Sequence, residues 1–68
     1  MIDSREVGAC AGAVWNFLNQ KGKISLIQLK FELRCNATLL HLALGWLMKE
    51  GKIEFMVENG QQTVFLKS

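Results

Sequence analysis

Few side chains in this sequence could make or break covalent bonds. It carries one histidine, His41, two cysteines, Cys10 and Cys35, and no tyrosine. Hydrolysis or group transfer needs a nucleophile beside a base, or two carboxylates placed for acid and base work, and the sequence presents neither pattern. Gly8 and Gly12 lack both the Lys-Ser/Thr that must follow a phosphate loop and the strand that must precede it. His41 with Cys35 is too sparse a donor set for zinc. The two cysteines form no CxxC pair and are too few for a secreted disulfide framework, so both are expected reduced and buried. These residues predict a non-enzymatic domain with no metal, no cofactor and no small-molecule substrate, in which His41 is a solvated helix residue.

What remains is the chemistry of recognition. Lys21, Lys23, Lys30, Arg34, Lys49 and Lys52 are available to meet phosphates, which gives a salt-sensitive and largely sequence-blind attraction, or else they form an ordinary solvated surface. A net charge of +2 and a pI near 8.7 permit contact with a polyanion without demanding it.

Sixty-eight residues, half of them apolar and none of them proline, predict a single domain over residues 1–68. The apolar fraction is too high and the net charge too small for intrinsic disorder. No basic segment leads into a sustained apolar stretch near the start, and the longest apolar run, Ala37 to Met48, falls short of the ~20 residues that span a bilayer. The expectation is a cytoplasmic protein without membrane contact.

Asp3 with Glu6 has the form of a capping box, and Val7, Ala11, Val14 and Leu18 then recur on one face of a first helix, about Ser4 to Asn19. Gly8 and Gly12 within it cost about 1 kcal/mol each relative to alanine, which implies close approach by another element of the domain or by a partner. Ile24 begins a short extended step, and Ser25 caps a second helix, about Leu26 to Arg34, whose buried stripe is Leu26, Leu29 and Leu33 with Ile27 beside them. Asn36 caps a third helix, about Ala37 to Glu50, stopped by Gly51. Lys52 to Glu58 and Gln61 to Lys67 flank Asn59-Gly60, a hairpin with a type I′ turn. That turn pairs Glu58 with Gln61, Phe55 with Val64 and Ile53 with Leu66. Ile53, Phe55, Val64 and Leu66 then face the core, and Glu54, Met56, Thr63 and Phe65 face away.

This order, with a three-residue turn between the second and third helices, resembles a winged helix-turn-helix domain of the α+β class: three helices, a short strand and a C-terminal β-hairpin wing. The stretch from Ala43 to Ile53, with Trp15 in the first helix, resembles a family of small bacterial and archaeal winged helix-turn-helix proteins of unknown function. Leu47, Gly51 and Ile53 match the general pattern that leads from the recognition helix into the wing. The resemblance implies that the third helix enters a DNA major groove while the wing touches flanking backbone or minor groove.

Two readings of the surface follow. In the first, a DNA-binding module of the transcription-regulator type, Asn36, Thr38, His41 and Lys49 face the groove and Lys21, Lys30, Arg34 and Lys52 lie near the backbone. In the second, a protein-interaction or homodimerisation module, a stripe on the third helix docks against a partner. At ~100° per residue, Leu40, Ala43, Leu44 and Leu47 point inward, while Leu39, Leu42 and Trp46 form that second apolar stripe, about 120° around. Met48, Met56 or Phe65 could join it. Tryptophan is a favoured interface anchor, although Trp46 could instead fold back on the first helix or the wing as plain core.

Overall fold

The computed structural model describes residues 2–67. Helix α1 runs Ser4–Lys21, strand β1 Ile24–Ser25, helix α2 Leu26–Leu33, helix α3 Ala37–Lys49, and strands β2 Ile53–Glu58 and β3 Gln61–Leu66 form the terminal hairpin. The three strands make one antiparallel sheet in the order β1-β3-β2. Three helices with a short strand and a wing are the winged helix-turn-helix arrangement that the sequence resembles.

Local chemistry sets the helix boundaries. The Asp3 carboxylate accepts from the Glu6 N–H at 2.9 Å, the Ser25 hydroxyl oxygen accepts from the Gln28 N–H at 3.1 Å, and the Asn36 side chain caps α3. Each cap satisfies donors that the first helical turn leaves without partners. Helix α1 continues two residues past Asn19, because Gln20 and Lys21 are good helix formers and the chain turns only at Gly22. Helix α2 ends one residue early, at Leu33. Arg34 takes the left-handed conformation, φ 53°, and its N–H donates back to the Lys30 carbonyl at 3.1 Å.

The hairpin has the expected register, with Ile53 opposite Leu66, Phe55 opposite Val64 and Glu58 opposite Gln61. Asn59 and Gly60 both have positive φ, 52° and 75°, which a type I′ turn requires and which asparagine and glycine tolerate best. Strand β3 also pairs with β1, Ile24 opposite Val64 and Ser25 opposite Thr63, and so lies in the middle of the sheet. Thr63, expected on the outward side, is therefore buried between its neighbours, and its hydroxyl donates to the Met56 carbonyl at 2.9 Å.

The core draws on every helix and the sheet: Cys10, Ala11, Val14 and Leu18 of α1, Leu29 of α2, Leu40, Ala43, Leu44 and Leu47 of α3, Ile53 of β2 and Val64 of β3. Burying a side chain of this size contributes roughly 1.5–3 kcal/mol. Helix α2 departs from expectation. Leu29 is buried with Leu26 and Leu33 half-buried, but Ile27 is 77% exposed. One side of α2 is covered, the leucines occupy it, and Ile27 lies around the helix from them.

Candidate functional site

The turn between α2 and α3 is Arg34-Cys35-Asn36. Asn36 is partly committed within it: its side-chain oxygen accepts from the Thr38 and Leu39 N–H groups at 2.8 and 3.3 Å, leaving the amide nitrogen as the donor for any outside contact. Beyond the cap, α3 buries Leu40, Ala43, Leu44 and Leu47 and leaves Thr38, His41, Leu42, Gly45, Met48 and Lys49 exposed. At ~100° per residue, Thr38, Leu42, Gly45 and Lys49 cluster on one outward line, with His41 on its flank. A β-carbon added at Gly45 would meet nothing within 4 Å, so the middle of this line is open to close approach.

The apolar stripe expected on α3 divides. Leu39 is half-buried and packs on the core, whereas Leu42 and Trp46 remain 49% and 43% exposed. Trp46 does fold back on the first helix: its ring carbons come within 3.4 and 3.6 Å of where a β-carbon of Gly8 would stand. Gly8 thus supplies the close approach that the sequence implies, within the domain. Gly12 does not, since a β-carbon there would meet nothing within 4 Å. Between the two tryptophans lies an open groove of about 360 Å³, lined by Gly8, Gly12, Trp15, Asn16, Trp46 and Glu50 among others.

The six cations that the sequence offers to phosphates lie in three separate places. Lys30 and Arg34 flank a shallow groove of about 550 Å³ on α2. Lys49 lies in the last turn of α3, and Lys52 beyond it stands 3.7 Å from the Glu50 carboxylate. Lys21 and Lys23 border a groove beside the wing, where Lys23 forms a 2.6 Å ion pair with Glu58 at the wing tip. Among the described residues, Lys21, Lys30, Arg34 and Lys49 take part in no ion pair. The outward line of α3 thus carries a hydroxyl, a leucine side chain and an ammonium group, with an imidazole on its flank.

Two features escaped the sequence reading. Ile27 and Phe31, four residues apart on α2, are 77% and 75% exposed and line the groove that Lys30 and Arg34 flank. Their i, i+4 spacing, out of phase with Leu26, Leu29 and Leu33, was the available signal. The second is that Cys10 and Cys35 meet. The Cys10 thiol donates to the Cys35 sulfur at 3.5 Å, and the Cys35 thiol lies 3.7 Å from the Leu33 carbonyl. Burial, then the hydrogen bond and charge of Cys35, push the Cys10 thiol up to about 11. Their sequence spacing gives no hint of this pairing.

Among the described residues no three His, Cys, Asp or Glu side chains converge as metal ligands, and no helix is long and apolar enough to cross a membrane. No curated protein sequence matches the chain. A solution NMR structure of protein BT2368 from Bacteroides thetaiotaomicron is similar to it, with 34% sequence identity and a TM-score of 0.80 over 96% of this chain and 79% of that one. A family model described as a winged helix-turn-helix domain (DUF2582) matches residues 1–66. With the three-residue turn, the outward line on α3 and the wing in place, the chain belongs to this winged helix-turn-helix family.

Proposed function

We propose that the domain is a DNA-binding module of the transcription-regulator type, with no catalytic role of its own, that presents α3 to the major groove. The observation that carries this reading is the open outward line of α3, where Thr38, Leu42 and Lys49 surround Gly45 with His41 alongside. Threonine and histidine can hydrogen-bond base edges, and Leu42 suits the thymine methyl group, the one apolar feature of the major groove. Lys30 and Arg34 on α2 and Lys21 near the wing meet flanking phosphates. Lys52, beside Glu50, and Asn36, with its oxygen in the cap, contribute less. The reading goes with a cytoplasmic location.

With Lys21, Lys30, Arg34 and Lys49 meeting phosphates, the logarithm of the binding constant should fall with the logarithm of salt concentration at a slope of about −3 to −4. Fluorescence anisotropy with a random duplex measures this directly. The absence of binding at ~50 mM salt contradicts the proposal.

A second reading has its own observation. Leu42 and Trp46 are both close to half exposed, and Trp46 walls the groove shared with Trp15, a suitable anchor for a protein partner or a second copy. Sedimentation discriminates the two. A dimer that Leu42→Glu converts to monomer supports association, and Leu42 is the cleaner position because Trp46 also packs on Gly8. A wild-type monomer removes self-association.

A further inference from the structure

We propose that Cys10 and Cys35 form a redox-active pair that a hydroperoxide converts into an intramolecular disulfide, tying α1 to the turn between α2 and α3. Three observations bring the site together. The sulfurs already stand 3.5 Å apart, across 25 positions of sequence. A disulfide needs about 2.05 Å, so they must close by about 1.5 Å. Cys35 lies in the short turn outside both helices, where side-chain rotation and a small backbone shift can supply that movement.

The two thiols differ in access in the way a reacting and a resolving cysteine must. Cys35 is half-buried and lines the groove with Lys30, Arg34, Ile27 and Phe31, so a small oxidant can reach it. Oxidation selects the thiol a reagent can reach, and Cys35 is the more accessible of the two. Cys10 is only 5% exposed, packed in the core behind it, and aimed at the Cys35 sulfur.

The chemistry balances in two steps. The Cys35 thiolate attacks the peroxide O–O bond; an S–O bond forms, the O–O bond breaks, and the departing alkoxide or hydroxide takes up a proton as alcohol or water. The Cys10 sulfur then attacks the Cys35 sulfenic acid; the S–S bond forms, the S–O bond breaks, and the oxygen leaves as water with the Cys10 proton. One hydroperoxide is reduced by two electrons as two thiols become one disulfide.

The product differs from the static bonds of secreted domains. With Cys35 reachable from the groove, it is open to reversal by thiol exchange. It pulls on Cys35, the residue before the Asn36 cap, and so acts where the chain enters α3. The proposal does not depend on what α3 binds.

The test treats the purified protein with hydrogen peroxide and follows intact mass, free thiols and a non-reducing peptide map. The expected result is loss of two hydrogens in mass, a fall from two free thiols per chain to none, a peptide joining Cys10 to Cys35, and full reversal by dithiothreitol. Cys10→Ala should halt the reaction at a Cys35 sulfenic acid that dimedone traps, and Cys35→Ser should leave the Cys10 thiol intact. If the Cys10→Ala chain does not fold, the wild-type peptide map alone decides. Unchanged thiols, over-oxidation of Cys35 beside an intact Cys10 thiol, or disulfides only between chains would overturn the proposal.

Discussion

The indole of Trp46 lies across Gly8, with its nearest ring carbon 3.4 Å from where a β-carbon would project. This contact joins α3 to α1 at the edge of the core. Because 3.4 Å is ordinary van der Waals separation, Gly8→Ala should fit and should raise stability by up to about 1 kcal/mol through helix propensity. Gly8→Leu should displace the indole and destabilise by about 1–3 kcal/mol. Urea unfolding checks both, and in a Trp15→Phe background the Trp46 emission should shift to the red for Gly8→Leu alone.

Asn36 holds the start of α3 through two accepted hydrogen bonds, so its role in the fold can be separated from contact with a ligand. Asn36→Ala should cost about 1 kcal/mol of stability. Asn36→Asp keeps a capping oxygen and should leave thermal stability nearly unchanged, while its charge repels phosphate and weakens duplex binding. A thermal melt and an anisotropy titration on the same two variants give the comparison.

The wing was legible down to its cross-strand pairs, because Asn59-Gly60 selects one turn type and a two-residue loop leaves one register. The middle position of β3 was not. It comes from pairing with the two-residue strand Ile24–Ser25, too short to carry a periodic signal, and burial of Thr63 follows from it. In α2, the pair Ile27 and Phe31 falls out of phase with Leu26, Leu29 and Leu33, so the spacing marks a second apolar side, but over eight residues it does not say which of the two sides the domain covers. The inward face of α3, Leu40, Ala43, Leu44 and Leu47, was legible from the 3.6-residue repeat. The division of its apolar stripe was not, since only the packing of α1 decides that Leu39 turns in and Trp46 rests on Gly8.

Cys10 gives the protein an alkaline weakness. Its thiol is pushed up from an ordinary 9.0 to about 11, chiefly by burial, with the hydrogen bond and charge of Cys35 adding to the effect. Between those values the unfolded chain has released a proton that the folded chain retains. The unfolded state binds fewer protons there, so stability falls as pH rises through this window. Stability measured by urea from pH 8 to 11 should therefore decline more steeply for the wild type than for Cys10→Ala. Equal slopes would contradict the assignment.

Lys30 and Arg34 lie outside any ion pair among the described residues, so their charge is free to meet phosphate. Replacing either with glutamine should reduce the steepness of the salt dependence of duplex binding by about 0.9, with little change in thermal stability. Lys23→Gln, which removes a cation already paired with Glu58, should change the slope less.

The most direct measurement of whether α3 is the DNA-binding surface is a titration of the ¹⁵N-labelled domain with a short duplex at low salt, followed by amide chemical shifts. The largest changes should fall on Thr38, His41, Leu42, Gly45 and Lys49, with smaller ones at Lys30, Arg34 and the wing. Changes confined to the Trp15–Trp46 groove or to Ile27 and Phe31, or no changes at all, would contradict it.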